Sequence, residues 1–255
     1  MGELGDTKIQ LCGRLFVELD GRRVEDALPG SKGRLLFACL VLNRSRRLSR
    51  DHLLAAVYGE DASPDQHPSL TVLLSKLRSV IGQELLAGRS EIELVLPDDA
   101  FVDVEAAREA LHRAESHVAA GEWAEAWGPA GVAYHVAGRP LLQGEDRPWL
   151  EEWRRRLADV RLRGLECLAA SRLGLGGPTL SQAEDCARRL IELAPYRETG
   201  HRILMEALER RGNVAEALLA YDRLRVLLRD ELGVAPSPAV ESVHRRLLGQ
   251  TATTA

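Results

Sequence analysis

Arg44, Arg46, Arg47 and Arg50 place four guanidinium groups within seven residues. A guanidinium fork is shaped to take two oxygens of one phosphate. Further along, Ser69-Leu70-Thr71-Val72-Leu73-Leu74-Ser75-Lys76-Leu77-Arg78-Ser79-Val80-Ile81-Gly82 alternates apolar and polar residues with the period of an α-helix. Leu70, Leu73, Leu74, Leu77 and Ile81 share one face. Thr71, Val72, Ser75, Lys76 and Ser79 occupy the other, with Arg78 at its flank. Such a polar face can meet phosphates and base edges in a major groove, and Val72 could pack on a thymine methyl. Each feature also has a plainer reading. A run of arginines is usually a solvated turn, and a single outward valine is an ordinary exposed residue.

Other chemistry is not indicated. The sequence has no phosphate loop, dinucleotide fingerprint or nucleophile elbow, so no catalytic residues, cofactor or metal are expected, and the chain is not read as an enzyme. His112 and His117 are five apart, which is the wrong spacing for two ligands on one helical face, and they read as solvent-facing. Cys12, Cys39, Cys167 and Cys186 form no CxxC pair and read as small core hydrophobes in a reducing compartment. Trp123 and Trp127, and Trp149 and Trp153, sit four apart and read as packing between helices, with Trp149 also able to line a pocket beside Pro148. Arg154, Arg155, Arg156, Arg161 and Arg163 read as the wet side of a long helix.

The elements that must position these residues follow from periodicity and turn chemistry. Ile9, Leu11, Leu15 and Val17 share one parity, and Asp20-Gly21 is a hairpin turn, so two or three strands open the chain. Ser31 reads as an N-cap for a helix over 32–43, and Ser49 as the cap of a second over 50–58. The helix over 69–81 is the third. Ile92, Leu94 and Leu96 alternate again, and Pro97-Asp98-Asp99 reads as the tip of a hairpin that closes with Phe101 and Val102. From Asp103 onward only helical patterns remain, over about 103–120, 122–137, 148–173, 179–193, 197–211, 213–232 and 237–248. The breaks coincide with glycine and proline.

These helices repeat. Gly121-Glu122-Trp123-Ala124-Glu125-Ala126 recurs as Gly212-Asn213-Val214-Ala215-Glu216-Ala217. A 34-residue register sets Ala183 and Ala217 at one small position, Tyr221 at an aromatic one and Pro195 at a terminating one, which is the spacing of tetratricopeptide-like helical hairpins. Each hairpin leaves an apolar face bare and buries it by stacking. The expected fold is therefore mainly α, with a small α+β winged-helix domain over 1–102 followed by an all-α helical-hairpin domain over 103–255.

Bulk charge contributes little to this reading. The 255 residues carry a net charge of −4, and residues 1–100 hold 13 Lys/Arg against 15 Asp/Glu. Neither half is a basic domain of the type that binds nucleic acid through bulk charge. No run approaches the roughly 18–20 apolar residues of a membrane helix, and 1–10 lacks a secretory pattern, so a cytoplasmic protein without a membrane partner is expected.

The first domain resembles an OmpR-type winged helix, and the second resembles the bacterial transcriptional activation domain. In this order the pair is similar to a small regulator of the Streptomyces antibiotic regulatory protein family. The residues that carry the resemblance are 69–82, similar to the family's recognition helix, together with Tyr221-Asp222-Arg223-Leu224-Arg225 and Glu231-Leu232-Gly233-Val234-Ala235-Pro236-Ser237-Pro238. The resemblance implies a transcriptional activator that binds direct repeats in double-stranded promoter DNA and contacts RNA polymerase, with a homodimer left open. An acidic wing would oppose this: Asp98 and Asp99 at a hairpin tip would face phosphates with the wrong sign, on the order of 4 kcal/mol per close unit pair before screening. The competing reading is thus a protein-binding scaffold whose winged helix has lost DNA.

Overall fold

The computed structural model describes residues 7–59 and 63–253. It forms two compact units. One comprises residues up to Ala106 with Val136–Leu157; the other comprises Ala107–His135 with Ala158 onward.

In the first unit, β1 (Lys8–Gln10) pairs antiparallel with β2 (Phe16–Leu19), setting Ile9 opposite Val17, both fully buried. β2 turns into β3 (Arg22–Arg23) through Asp20 and Gly21, at φ 47 and 72. Positive φ at both central residues is what a two-residue hairpin needs, and Asp-Gly supplies it at little steric cost. β7 (Phe101–Val102) joins the other edge of β1 in parallel. Beyond β1 the donors of Leu11 and Cys12 enter the buried interior, where unpaired N–H groups would be costly. The Asp103 carboxylate accepts both, at 3.0 and 2.8 Å, and also the Val104 N–H at 2.8 Å. Burial pushes the Asp103 carboxyl above the usual carboxylate range, against the pull of those donors. The 136–157 segment completes the same edge: Gly13 N–H donates to Pro140 O and Leu142 N–H to Leu11 O. The half-buried Trp149 donates its indole N–H to Ala56 O at 3.0 Å, so this indole ties the segment to the domain.

Helix α1 (Gly30–Leu42) is the central helix of this unit, with every residue from Leu35 to Val41 buried. Ser31 is not its cap; the helix begins one residue earlier, and the Ser31 hydroxyl donates to Glu145. After β4 (Leu48–Ser49), Ser49 does cap α2 (Arg50–Tyr58), accepting the His52 N–H. Helix α3 (His67–Ile81) starts two residues before the expected Ser69, with Pro68 in its first turn, where a missing N–H costs nothing. Then come β5 (Leu86–Ala87) and β6 (Glu91–Leu94), in a sheet ordered β4-β6-β5.

The second unit is helical, drawing on α4 (Asp103–Ala120), α5 (Trp123–Ala137), α6 (Pro148–Leu175), α7 (Leu180–Leu193), α8 (Glu198–Arg210), α9 (Val214–Leu232) and α10 (Pro238–Thr253). Ala126, Ala183 and Ala217, the matched small positions of the repeat, are all fully buried. Gly164 of α6 lies against the α5 backbone: a Cβ there would be 2.9 Å from Tyr134 N and 3.3 Å from Ala130 O. Gly174 accepts the Trp123 indole on its bare face. Trp127, expected in the core, is instead 51% exposed. Of the α6 arginines, Arg155 and Arg156 are exposed as expected, while the other three are drawn into contacts. Arg154 donates to Glu145 O, Arg161 lies over the Tyr134 ring, and Arg163 forks onto Glu115 at 2.8 Å through both Nε and Nη2. His117 meets Glu122 at 2.6 Å, while His112 faces solvent. All four cysteines are free and buried, and burial raises the Cys39 and Cys167 thiols to about 12, which removes thiolate chemistry at neutral pH.

Candidate nucleic-acid interface

Helix α3 divides as its periodicity requires. Leu70, Leu73, Leu74, Leu77 and Ile81 are buried and fix the helix to the domain, leaving the opposite arc exposed. Gly82, at φ 104, ends the helix and turns the chain toward β5. Thr71, Val72, Ser75, Lys76 and Ser79 are all exposed, Val72 by 55%. No acidic residue occurs in α3. Thr71 and Ser79 return their hydroxyl protons to His67 O and Lys76 O; the Thr71 oxygen also accepts from Arg50. Lys76 has no ion pair among the described residues.

The arginines behave differently from one another. Arg44 forks onto Glu105, with Nε and Nη2 at 2.7 and 2.6 Å, and is thereby committed inside its own unit. Arg46 is exposed and donates to Asn43 Oδ1. Arg47 is exposed and pairs with Glu93 at 3.0 Å, which pushes its pKa higher still. Arg50 donates to Thr71 Oγ1 and to the Arg89 carbonyl. Arg78 donates to the Leu86 and Gly88 carbonyls. Burial, together with the nearby Arg46 charge, holds His52 below the usual imidazole range, so it adds no positive charge at neutral pH.

The structure corrects the reading of the hairpin. The strand pair after α3 is β5 with β6, Leu86 opposite Leu94 and Ala87 opposite Glu93, and its turn is Gly88-Arg89-Ser90. Asp98 and Asp99 belong to a separate turn leading into β7, which joins the other sheet beside β1. The expected pairing fails because Phe101 and Val102 find a better partner in the buried β1 than in β6, whose two edges β4 and β5 already fill. The tip is therefore basic. Gly88 sits at φ 88, and a Cβ there would lie only 1.9 Å from Glu91 O, so the tight turn requires glycine. Arg89 at the tip is exposed and has no ion pair among the described residues. Sequence reasoning missed it; the signal was Gly-Arg-Ser between Leu85-Leu86 and Ile92-Glu93-Leu94.

Arg78 reaches from α3 to the Leu86 and Gly88 carbonyls, and Arg50 links Thr71 of α3 to the Arg89 carbonyl, so the turn stands beside α3. Thr71, Val72, Ser75 and Lys76 of α3 and Arg89 of the turn are all exposed. This arrangement suits a helix laid in a major groove with a cationic turn alongside it. Among the described residues no helix is long and apolar enough to cross a membrane.

Comparison with known proteins bears on the fold and the family. Residues 102–248 match the family model of the bacterial transcriptional activator domain. The regulatory protein AfsR of Streptomyces griseus is 31% identical over 225 residues, covering 84% of this chain but 22% of AfsR. The transcriptional regulatory protein EmbR of Mycobacterium bovis is 27% identical over 253 residues, covering 94% of this chain and 63% of EmbR. A solved structure of Mycobacterium tuberculosis EmbR, in complex with a low-affinity phosphopeptide, superposes with a TM-score of 0.83 at 25% identity, over 96% of this chain and 65% of EmbR. The chain thus spans less than two thirds of each of these relatives.

Proposed function

The chain belongs to the bacterial transcriptional activator domain family, with the winged helix placed first as in a Streptomyces antibiotic regulatory protein, and from that premise we propose that it activates transcription by reading promoter DNA with α3 and the β5–β6 hairpin. The observation that carries the proposal is the acid-free arc of α3 standing beside the Arg89 turn. In this reading Thr71, Ser75 and Ser79 meet base edges or phosphates, Val72 packs on a thymine methyl, and Lys76, Arg89 and Arg46 meet phosphates. Arg47 joins them when its exposed pair with Glu93 opens, since such pairs are weak. Residues 1–102 form the DNA-contacting part and 103–255 the part that meets protein partners. RNA polymerase is one such partner, and a second copy of the chain on the neighbouring direct repeat is another. The exposed Trp127, Val132, Leu219 and Val226 of the helical unit offer apolar surface for such contacts. The protein works in the cytoplasm, where its DNA is, and has no enzymatic role.

In-vitro selection from a random duplex pool, followed by anisotropy titration of a selected duplex against a shuffled one, tests this reading. The selected duplex should bind more tightly. Lys76→Ala and Arg89→Ala should each weaken both complexes and make the log K versus log salt slope shallower by about 0.9. Equal affinity for the two duplexes, with an unchanged slope in both variants, would rule out the interface.

A further inference from the structure

We propose that Arg50 and Arg78 are positioning residues that brace the Arg89 turn against α3, and are not phosphate contacts themselves. The inference rests on α3 being the DNA-contacting helix. Arg78 projects from α3 and spends its Nε–Nη2 edge on two carbonyls of the hairpin, Leu86 O at 3.3 Å and Gly88 O at 2.8 Å. That edge is the fork that would otherwise grip a phosphate. Arg50, the first residue of α2, reaches Arg89 O at 3.4 Å through Nη1 and Thr71 Oγ1 through Nη2. Thr71 in turn donates to His67 O at 2.9 Å, which fixes its oxygen toward Arg50. Two guanidinium groups from two helices therefore hold consecutive carbonyls of one turn, those of Gly88 and Arg89.

The turn itself, Gly88 to Ser90, is exposed, and the strands that lead into it are two and four residues long, with β6 also paired to β4. With both carbonyls clamped, the Arg89 side chain projects from a fixed backbone, so less ordering remains to be done when DNA binds. A lysine at either position keeps the charge but loses the rigid planar fork whose spaced N–H groups reach the two acceptors here. Charge and bracing can therefore be separated experimentally.

The test uses the full chain with Arg78→Lys and Arg50→Lys, and has two arms. In the free protein, hydrogen exchange of the β5–β6 amides should accelerate about tenfold or more in each variant, as expected when a bracing hydrogen bond is lost, while α1 amides stay at the wild-type rate. On the selected duplex, each variant should bind more weakly with the salt slope unchanged. In an Arg89→Ala background, Arg78→Lys should have almost no further effect, since both changes then act through one contact. Unaltered hairpin exchange in both lysine variants overturns the brace. So does wild-type DNA affinity in Arg78→Lys alongside a slope loss of about 0.9 in Arg78→Gln, the signature of a direct phosphate contact. Loss of the DNA reading itself would appear as wild-type chain that fails to prefer the selected duplex, and the exchange arm still reads the brace in that event.

Discussion

Replacing Gly164 with alanine sets two effects of opposite sign against each other. Gly164 lies inside the 28-residue helix α6, where a glycine costs about 0.5–1 kcal/mol relative to alanine, so propensity alone makes Gly164→Ala stabilising. The structure reverses that sign. The added Cβ would lie 2.9 Å from Tyr134 N, 3.2 Å from Ala133 Cβ and 3.3 Å from Ala130 O. Two of these are backbone atoms of α5 and the third is the stub of a fully buried alanine, so none can rotate aside. Forcing a methyl group into packed surroundings costs about 1–3 kcal/mol, so after the propensity gain the net destabilisation centres on about 1 kcal/mol and reaches at most about 2.5 kcal/mol. At about 2–4 °C per kcal/mol for a chain of this size, the melting temperature should fall by about 2–4 °C, and by no more than about 10 °C. Gly131→Ala in α5 is the matched control. A Cβ there meets nothing within 4 Å, so the propensity gain of about 0.5–1 kcal/mol should appear uncancelled. Thermal and urea unfolding of both variants read the difference. Two variants stabilised to the same extent would refute the close approach of α5 and α6.

Asp103→Ala removes the acceptor of the Leu11, Cys12 and Val104 N–H groups. The buried unpaired donors left behind should cost about 2–4 kcal/mol, read as an earlier unfolding midpoint with the urea m-value unchanged. Glu209 accepts from Arg246 at 2.9 and 2.7 Å, joining α8 to α10, and this bond holds its carboxyl below the usual range. A depressed carboxylate contributes stability that is present above the unfolded value of 4.5 and lost as pH falls through the lower folded value. Exchange of α10 amides should therefore accelerate as pH drops below about 4.5, after correction for intrinsic rates, and Glu209→Gln should flatten that dependence.

Much of this protein was legible without coordinates. The buried and exposed arcs of α3 follow from the 100° step between residues, and the observed burial at Leu70, Leu73, Leu74, Leu77 and Ile81 matches that step. The matched alanines at 126, 183 and 217 are fully buried, as the small positions of a helical-hairpin repeat should be. The Asp20-Gly21 turn and the Ser49 cap are equally local, since each is satisfied by atoms within a few residues.

Three things were settled by contacts distant in sequence. Phe101 and Val102 join β1 although some ninety residues separate them, and that choice takes Asp98 and Asp99 out of the hairpin and leaves Arg89 at its tip. Trp123 lies against Gly174, some fifty residues along the chain, while Trp127 is left exposed. The arginines read as one basic group were sorted by what stood opposite each of them: Glu105 for Arg44, Glu93 for Arg47, turn carbonyls for Arg50 and Arg78. By itself the sequence determined which helices form and which face each one buries, because periodicity and capping act within a turn or two. The tertiary structure alone decided which cations of the interface remain unneutralised, because a charge is neutralised by whatever folding brings within a few ångströms of it, and spacing along the chain does not encode that.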